Sequence, residues 1–245
     1  MESMVDAILS SPQTCIRQNL GHLFLKLEVG TGELEGYHAE VLGRQIEEVA
    51  HSIFHTLLLY RSVGKFTYKK EDKFSVGALG FVDVDCDFID LTYVRLESQE
   101  LDQHLKREID AFRDALRMND APQSGQISLE FYQKKRARWP FQAECIPWEV
   151  WTLKLDVITL NSEHERNAYR QSLGMALGEK VMYIADNVSH HQYVPHTPSQ
   201  RDLDLIFDTG YPTVQPYLFR ISHQGPTTTT VSNTMRKFLK DTLML

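Results

Sequence analysis

The sequence predicts an α+β fold, in which helices and strands occupy separate stretches of the chain. Apolar residues recur every three to four positions in three segments, which predicts amphipathic helices. In two later segments apolar and polar residues alternate, which predicts half-buried strands. No strand–helix–strand alternation runs through the chain, as a doubly wound parallel sheet would need.

Three helices follow from the apolar spacing. The first covers about 42 to 62, and the second about 101 to 116 with Ser98 as its N-cap. The third opens at a capping box formed by Ser162 and Glu165 and continues to about 188. The apolar stripes are Leu42, Ile46, Val49, Ile53 and Leu57 in the first helix, Leu101, Leu105, Ile109, Phe112 and Leu116 in the second, and Leu173, Ala176, Leu177, Val181, Ile184 and Val188 in the third.

Strands are predicted between and after these helices. Residues 74–81 and 88–96 form one pair, joined by an acidic turn at 83–87. Residues 127–131 and 151–157 form another pair, separated by a polar connection at 133–147. Beyond about 189 the chain is richer in Pro and Thr, with a strand at 217–221 and a short basic amphipathic segment at 235–243. Residues 1–35 are set apart by glycines as an N-terminal extension.

Composition restricts the class of protein. Of the 245 residues, 42% are apolar and 24% are charged, which suffices for an ordinary core, and the net charge of −7 argues against a general nucleic-acid or membrane-surface role. The cysteines Cys15, Cys86 and Cys145 fit a reducing compartment and exclude a disulfide framework. Neither a signal peptide nor an apolar stretch of about 18–20 residues occurs. We therefore predict a cytoplasmic protein without a nucleic-acid partner or stable membrane insertion.

Motifs for catalysis are weak. The chain has neither a phosphate-binding loop nor a strand-linked G-x-G-x-x-G. Ser62 and Lys65 have the spacing of a catalytic S-x-x-K pair, but they stand at a helix end with no partner motif. Cys145 has no histidine close to it in sequence. We therefore predict no enzyme activity and no cofactor.

Metal-binding patterns are incomplete. Four aspartates at 83, 85, 87 and 90 would need a glycine and a glutamate where Phe88 and Val94 stand to form an EF-hand loop, so an acidic turn is favoured. His51 and His55 have the i, i+4 spacing that suits zinc, but no third ligand is obvious and Ser52 replaces the glutamate of H-E-x-x-H. A packed or solvated helix face is favoured there. Solvent exposure is the simpler interpretation of the remaining histidines, His190, His191 and His196.

The segment 133–141, QKKRARWPF, is the most distinctive feature of the sequence. Its four positive charges have to stay in water. Pro140 restricts Trp139 to an extended conformation, so Trp139 and Phe141 point to the same side of the chain. The two aromatic side chains either fold back into the core or face a partner. Tryptophan beside arginine is typical of interface hot spots, which favours a partner.

Several long runs of the chain resemble the autophagy-related protein 101 family. They are GRQIEEVAHSIFHTLLLYRSVGKFTYKKE (43–71), DVDCDFIDLTYVRLES (83–98), SLEFYQKKRARWPFQAECIPWEVWTLK (128–154), FDTGYPTVQPYLFRIS (207–222) and MRKFLKDTL (235–243). The resemblance covers roughly 36–245. Residues 1–35 have no counterpart in the family, and SHQGPTTTT (222–230) departs from its pattern.

The resemblance implies a single HORMA domain at 36–245, with 189–245 as its safety-belt region. It implies a non-catalytic scaffold of the autophagy-initiation kinase complex that pairs with the HORMA domain of autophagy-related protein 13. Its location would be the cytoplasm, and the preautophagosomal structure after induction. The family's exposed aromatic finger maps onto Trp139, Pro140 and Phe141, which would bind downstream autophagy factors. HORMA pairs dock partly through their last long helix, so residues 163–188 form a second candidate surface.

Three alternatives remain open at this level. A HORMA protein of the chromosome or checkpoint branch would close around a partner peptide. A small enzyme could use a metal bound by His51 and His55. The basic segment at 133–141 and the tail around Arg236, Lys237 and Lys240 could bind anionic lipids, with a strong dependence on salt.

Overall fold

The helices and strands form an α+β arrangement, which confirms the predicted fold class. The computed structural model describes residues 28–30, 34–70, 73–117, 124–136, 143–190, 194–195 and 199–224. The helices are α1 (Ile46–Tyr60), α2 (Gln99–Arg117), α3 (Glu163–His190) and the short α4 (Leu203–Ile206). The strands are β1 (Glu28–Gly30), β2 (Leu34–Leu42), β3 (Ser62–Gly64), β4 (Phe66–Lys70), β5 (Lys73–Val76), β6 (Phe81–Asp85), β7 (Thr92–Leu96), β8 (Ser124–Lys135), β9 (Glu144–Ile158), β10 (Val214–Pro216) and β11 (Phe219–Gln224).

The main sheet has five strands in the order β1-β2-β9-β8-β11. Strands β2 and β9 run parallel, and the other neighbours are antiparallel. Strand β2 is not among the strands predicted from the sequence. Strand β1 and the first two residues of β2 lie within the predicted N-terminal extension 1–35. Three two-stranded pairs accompany the sheet: β3 with β10, β4 with β5, and β6 with β7.

The core lies between this sheet and the helices. Ile127 pairs with Leu153 and Leu129 with Trp151, and all four side chains are buried on one face, as the alternation predicts. Helix α1 packs against α2, α3 and β7, and its predicted stripe is fully buried from Ile46 onward. Among the described residues, no helix has the length and apolar character that crossing a membrane requires.

Two predictions about the strands are wrong. Asp83 and Asp85 belong to strand β6 rather than to the acidic turn, which follows them. The backbone N–H groups of Asp87 and Phe88 donate to Glu48 Oε1 at 2.7 and 3.0 Å, so α1 holds that turn in place. The predicted strand at 74–81 divides into β5 and β6.

The polar connection at 133–147 is also shorter than predicted. The ladder of β8 and β9 continues to the pair Lys135 and Glu144. Pro147 stands opposite Tyr132, next to a register shift. Proline is tolerated at such an irregularity because the ladder hydrogen bonds are already interrupted there. The two strands therefore form one long hairpin whose connecting residues are 136–143.

The chain after α3 returns to the core twice. Strand β10 pairs with β3, and β11 pairs with β8 where the sequence predicts a strand at 217–221. The backbone N–H of Tyr217 donates to the carbonyl of Arg61 at 2.9 Å. The predicted amphipathic segment at 235–243 lies outside the described residues.

Candidate functional site

In the sequence, the aromatic residues 139–141 fall between the end of β8 at Lys135 and the start of β9 at Glu144. Trp139, Pro140 and Phe141 themselves fall outside the described residues. The residues that flank the connection, Lys135 and Arg136 on one side and 143–145 on the other, are exposed. Both ends of the connection 136–143 therefore lie at the surface.

Arg136 joins the base of the hairpin connection to the C-terminal region. Its Nη2 atom donates to the carbonyl of Arg201 at 2.9 Å and lies 2.5 Å from Asp202 Oδ1. Asp202 is held in turn by the Ser199 hydroxyl at 2.8 Å. Part of the basic run is therefore engaged within the chain.

Helix α3 presents a second candidate surface. The capping box is confirmed: Ser162 Oγ accepts from the N–H of Glu165 at 3.1 Å, and the N–H of Ser162 donates to Glu165 Oε2 at 3.2 Å. Four positions of the predicted stripe are buried against the protein, namely Leu173, Leu177, Ile184 and Val188, whereas Ala176 and Val181 are half-buried. On the opposite side, Met175 is 68% exposed and Met182 is 55% exposed.

Met175 and Met182 form a solvent-exposed apolar ridge on the outer face of α3. They are seven positions apart, so they lie on the same face, about 10.5 Å apart along the axis. Flexible, polarisable methionine side chains adapt to the shape of a partner surface. The outer face of α3 therefore has the chemistry of a docking surface.

A group of ionisable side chains joins α1 to α2. His51 and His55 of α1 and Asp102 of α2 each offer one ligand atom, and these atoms lie within 4.8 Å of one another. His55 Nε2 is 3.3 Å from Asp102 Oδ1, without the alignment of a hydrogen bond. Arg95 Nη1 lies 3.4 Å from the same carboxylate oxygen.

Burial governs the charge of this group. It lowers the pKa of His51 to about 4, and it lowers the pKa of His55 below its ordinary value against the opposing effect of Asp102. Both imidazoles are therefore neutral at pH 7. The pKa of Asp102 is lowered, first by its contact with His55 and further by Arg95.

The other candidate sites do not assemble in the described part of the chain. Lys65 Nζ donates to the carbonyl of Thr209 at 3.0 Å, while the Ser62 hydroxyl is buried without a partner. Burial raises the pKa of the Cys86 thiol to about 12, which makes it a poor nucleophile, and Cys145 is an exposed free thiol. Asp85 accepts from the Thr92 hydroxyl, as expected for paired strands. The rings of His190, His191 and His196 lie outside what the structure describes.

Comparison with known proteins identifies the family. The family model described as "Autophagy-related protein 101" matches residues 38–201. The chain belongs to the autophagy-related protein 101 family. The autophagy-related protein 101 of Rattus norvegicus is 52% identical over 213 residues, which cover 86% of this chain and 98% of the relative. The Homo sapiens relative is 51% identical with the same coverage.

More distant members of the family match a shorter part of the chain. The autophagy-related protein 101 of Arabidopsis thaliana is 26% identical over 142 residues, 57% of this chain and 60% of that protein. The predicted resemblance is thereby confirmed. Membership of the autophagy-related protein 101 family gives the chain a role in autophagy.

Two features of the candidate sites are not among the predictions from the sequence. Asp102 comes 47 positions after His55 and meets it only because α1 and α2 pack together. Met175 and Met182 did leave a signal, because two methionines seven positions apart fall outside the buried stripe of α3. That signal becomes informative once the buried face is known.

Proposed function

We propose that the chain is a non-catalytic HORMA adaptor for autophagosome formation. In this proposal it pairs with the HORMA domain of autophagy-related protein 13 in the autophagy-initiation kinase complex, in the cytoplasm and at the preautophagosomal structure. Membership of the family supports the autophagy role. The structural observation that carries the pairing is the exposed methionine ridge on the last long helix.

The ridge suits a protein partner. Burying two methionine side chains would contribute about 3–6 kcal/mol before the cost of association. Glu179 and Asp186 lie on the same side of the helix and are exposed, which gives the apolar ridge a polar surrounding. The buried apolar stripe packs the other side of the helix against the core, which leaves the methionine face free for a partner.

A second surface would recruit later factors. Trp139 and Phe141 follow an exposed strand end at the far end of the β8–β9 hairpin. Arg136 ties the base of that connection to Arg201 and Asp202. In this proposal the aromatic pair binds its partner through the β8–β9 connection, and the HORMA partner binds α3.

The pairing is tested by co-expression with the HORMA domain of autophagy-related protein 13 from the same organism. Size-exclusion chromatography with mass determination is expected to show a one-to-one complex for the wild-type chain. Met175→Glu with Met182→Glu is expected to abolish it, because two charges would be desolvated in the interface.

The matched control introduces two glutamates on helix α2 instead of helix α3. Gln103→Glu with Ala111→Glu alters exposed positions of α2 and is expected to leave the complex intact. A complex that survives the methionine changes would place the pairing surface elsewhere. Two separate, folded peaks for the wild-type chain would contradict the pairing itself and favour a HORMA protein that closes around a peptide.

The aromatic surface needs a separate experiment. Trp139→Ala with Phe141→Ala is expected to retain the melting temperature and the one-to-one complex, and to lose recruitment of downstream factors in starved cells. Lys134→Ala with Lys135→Ala is the control for the neighbouring charge. A large fall in the melting temperature of the aromatic variant would show that the pair belongs to the core.

A further inference from the structure

His51, His55 and Asp102 converge from two helices on one point of the structure. The two histidines occupy one face of α1 because they are four residues apart. Asp102 belongs to the first turn of α2, whose start is fixed by Ser98. No third ligand for the histidine pair is obvious in the sequence, and the packing of α2 on α1 supplies Asp102.

Two nitrogen atoms of the group have no hydrogen-bond partner. His51 Nδ1 and His55 Nε2 each expose less than 1 Å² and neither makes a hydrogen bond within the described structure. The side chain of His55 is only 2% exposed. A buried polar atom without a partner costs about 1–3 kcal/mol, so both nitrogens gain if a ligand meets them. Neutral imidazole nitrogen is also the form that binds metal ions.

We propose that His51, His55 and Asp102 form a binding site for a divalent first-row transition metal ion such as Zn²⁺. Ligand atoms about 2.0–2.1 Å from a tetrahedral ion lie about 3.4 Å apart. The 3.3 Å between His55 Nε2 and Asp102 Oδ1 already matches that edge. His51 completes the set by a small movement of its ring, since its ligand atom is within 4.8 Å of the others.

The ligand set selects the class of ion. Two imidazoles and one carboxylate suit zinc and its neighbours, whereas calcium and magnesium need mostly oxygen ligands. Asp102 is 34% exposed, so a water molecule can reach the fourth position. Three protein ligands with one open position are typical of zinc sites that exchange a ligand.

Positively charged side chains near the proposed site reduce its affinity for a metal ion. Arg95 shares Asp102 Oδ1, and Lys106 also acts on His51. Both weaken the binding of a cation, whereas Glu47 acts in the opposite direction on His51. The site is therefore weaker than a closed structural site with four protein ligands.

The test uses the full-length purified chain, freed of metal by chelation and titrated with Zn²⁺ and Co²⁺. Isothermal titration is expected to give one site per chain, and Co²⁺ is expected to show visible absorption bands of a tetrahedral complex. Asp102→Asn and His51→Gln are each expected to weaken binding by at least about tenfold, since even the loss of an outer partner costs that much. Both positions are more exposed than His55, and thermal unfolding checks that the variants fold.

Matched controls separate this site from surface ligands. Asp114→Asn changes another exposed carboxylate of α2, and His164→Gln removes an exposed histidine of α3. Both are expected to bind Zn²⁺ as the wild-type chain does. The proposal is overturned if the wild-type chain takes up no stoichiometric metal. It is equally overturned if Asp102→Asn and His51→Gln bind like the wild-type chain, because the metal would then be held elsewhere.

Discussion

At the scale of single residues, a buried ion pair joins three parts of the molecule. Arg61 follows α1 and Glu149 lies in β9, and each side chain is only 4% exposed. Their Nε and Oε2 atoms are 2.5 Å apart, and Arg61 Nη2 donates to Glu149 Oε1 at 3.1 Å. Trp151 Nε1 donates to the same carboxylate at 2.7 Å, and Arg61 reaches the carbonyl of Val188 at 3.4 Å. The pair thereby ties the ends of α1 and α3 to the sheet.

Breaking this pair is expected to be costly. Glu149→Gln leaves the buried Arg61 guanidinium without its counter-charge, so the free energy of unfolding should fall by about 3–5 kcal/mol. Urea denaturation followed by far-UV circular dichroism measures the loss. Asp202→Asn, in the exposed pair with Arg136, is the control and should cost less than about 1 kcal/mol. An equally small loss for Glu149→Gln would mean that the pair contributes little.

At the scale of elements, helix α3 contains two glycines in different surroundings. A Cβ added to Gly174 would lie 2.3 Å from the carbonyl oxygen of Asp90, so α3 crosses the turn before β7 at backbone distance. A Cβ added to Gly178 would meet only Leu91 Cδ1, at 4.0 Å. Glycine disfavours a helix interior, and only Gly174 has a packing reason to be there.

The two glycines therefore predict opposite effects of the same substitution. Gly178→Ala should raise the free energy of unfolding by about 0.5–1 kcal/mol, because alanine restricts the unfolded chain and favours the helix. Gly174→Ala should lower it by about 1–3 kcal/mol, because the helix has to move away from Asp90. Thermal unfolding of both variants tests the sign. Equal stabilisation of both would rule out the close approach at Gly174.

A smaller change in stability is predicted for the capping box at the start of α3. Ser162→Ala removes the acceptor for the N–H of Glu165 and should destabilise the protein by about 1 kcal/mol. Ser162→Asp keeps a cap and should retain stability. Urea midpoints compare the two variants, and identical midpoints would show that the first turn of α3 contributes nothing to global stability.

At the scale of the whole molecule, residues 199–224 contribute side chains to the hydrophobic core. Phe219 is 8% exposed and lies between Phe131 of β8 and His104 of α2, with ring centroids 6.5 and 5.4 Å away. Val214 of β10 is 1% exposed. In this conformation, residues 199–224 complete the sheet and cover the hydrophobic interior, as a region locked against the core would.

Removing a core aromatic side chain from the C-terminal strand β11 or from helix α2 should in both cases leave a single unfolding transition. Phe219→Ala and Phe112→Ala are each expected to cost about 3–5 kcal/mol in one cooperative unfolding step. Urea titrations followed by circular dichroism and by tryptophan fluorescence should coincide. A separate early transition in Phe219→Ala alone would show that the C-terminal region unfolds independently of the rest.

The sequence by itself determined the elements whose pattern is local. Helices α1, α2 and α3 and the buried faces of β8 and β9 follow from apolar spacing, and the Ser162 cap follows from a four-residue motif. Family membership was also readable from the long runs of characteristic residues. The segment 139–141 was singled out in the same way, and its binding role stays a prediction because it lies outside the described residues.

Only the tertiary structure decided which distant residues meet. The apolar–polar alternation of strand β2 covers only residues 37–41, and its partner strand β9 lies more than a hundred positions away along the chain. Arg61 meets Glu149 across 88 positions, and Asp102 meets the histidines only through helix packing. Periodicity reports the face that each element buries, whereas a contact between elements depends on how those faces are stacked. The buried ion pair of Arg61 and Glu149 and the candidate metal site could therefore be identified only from the folded structure.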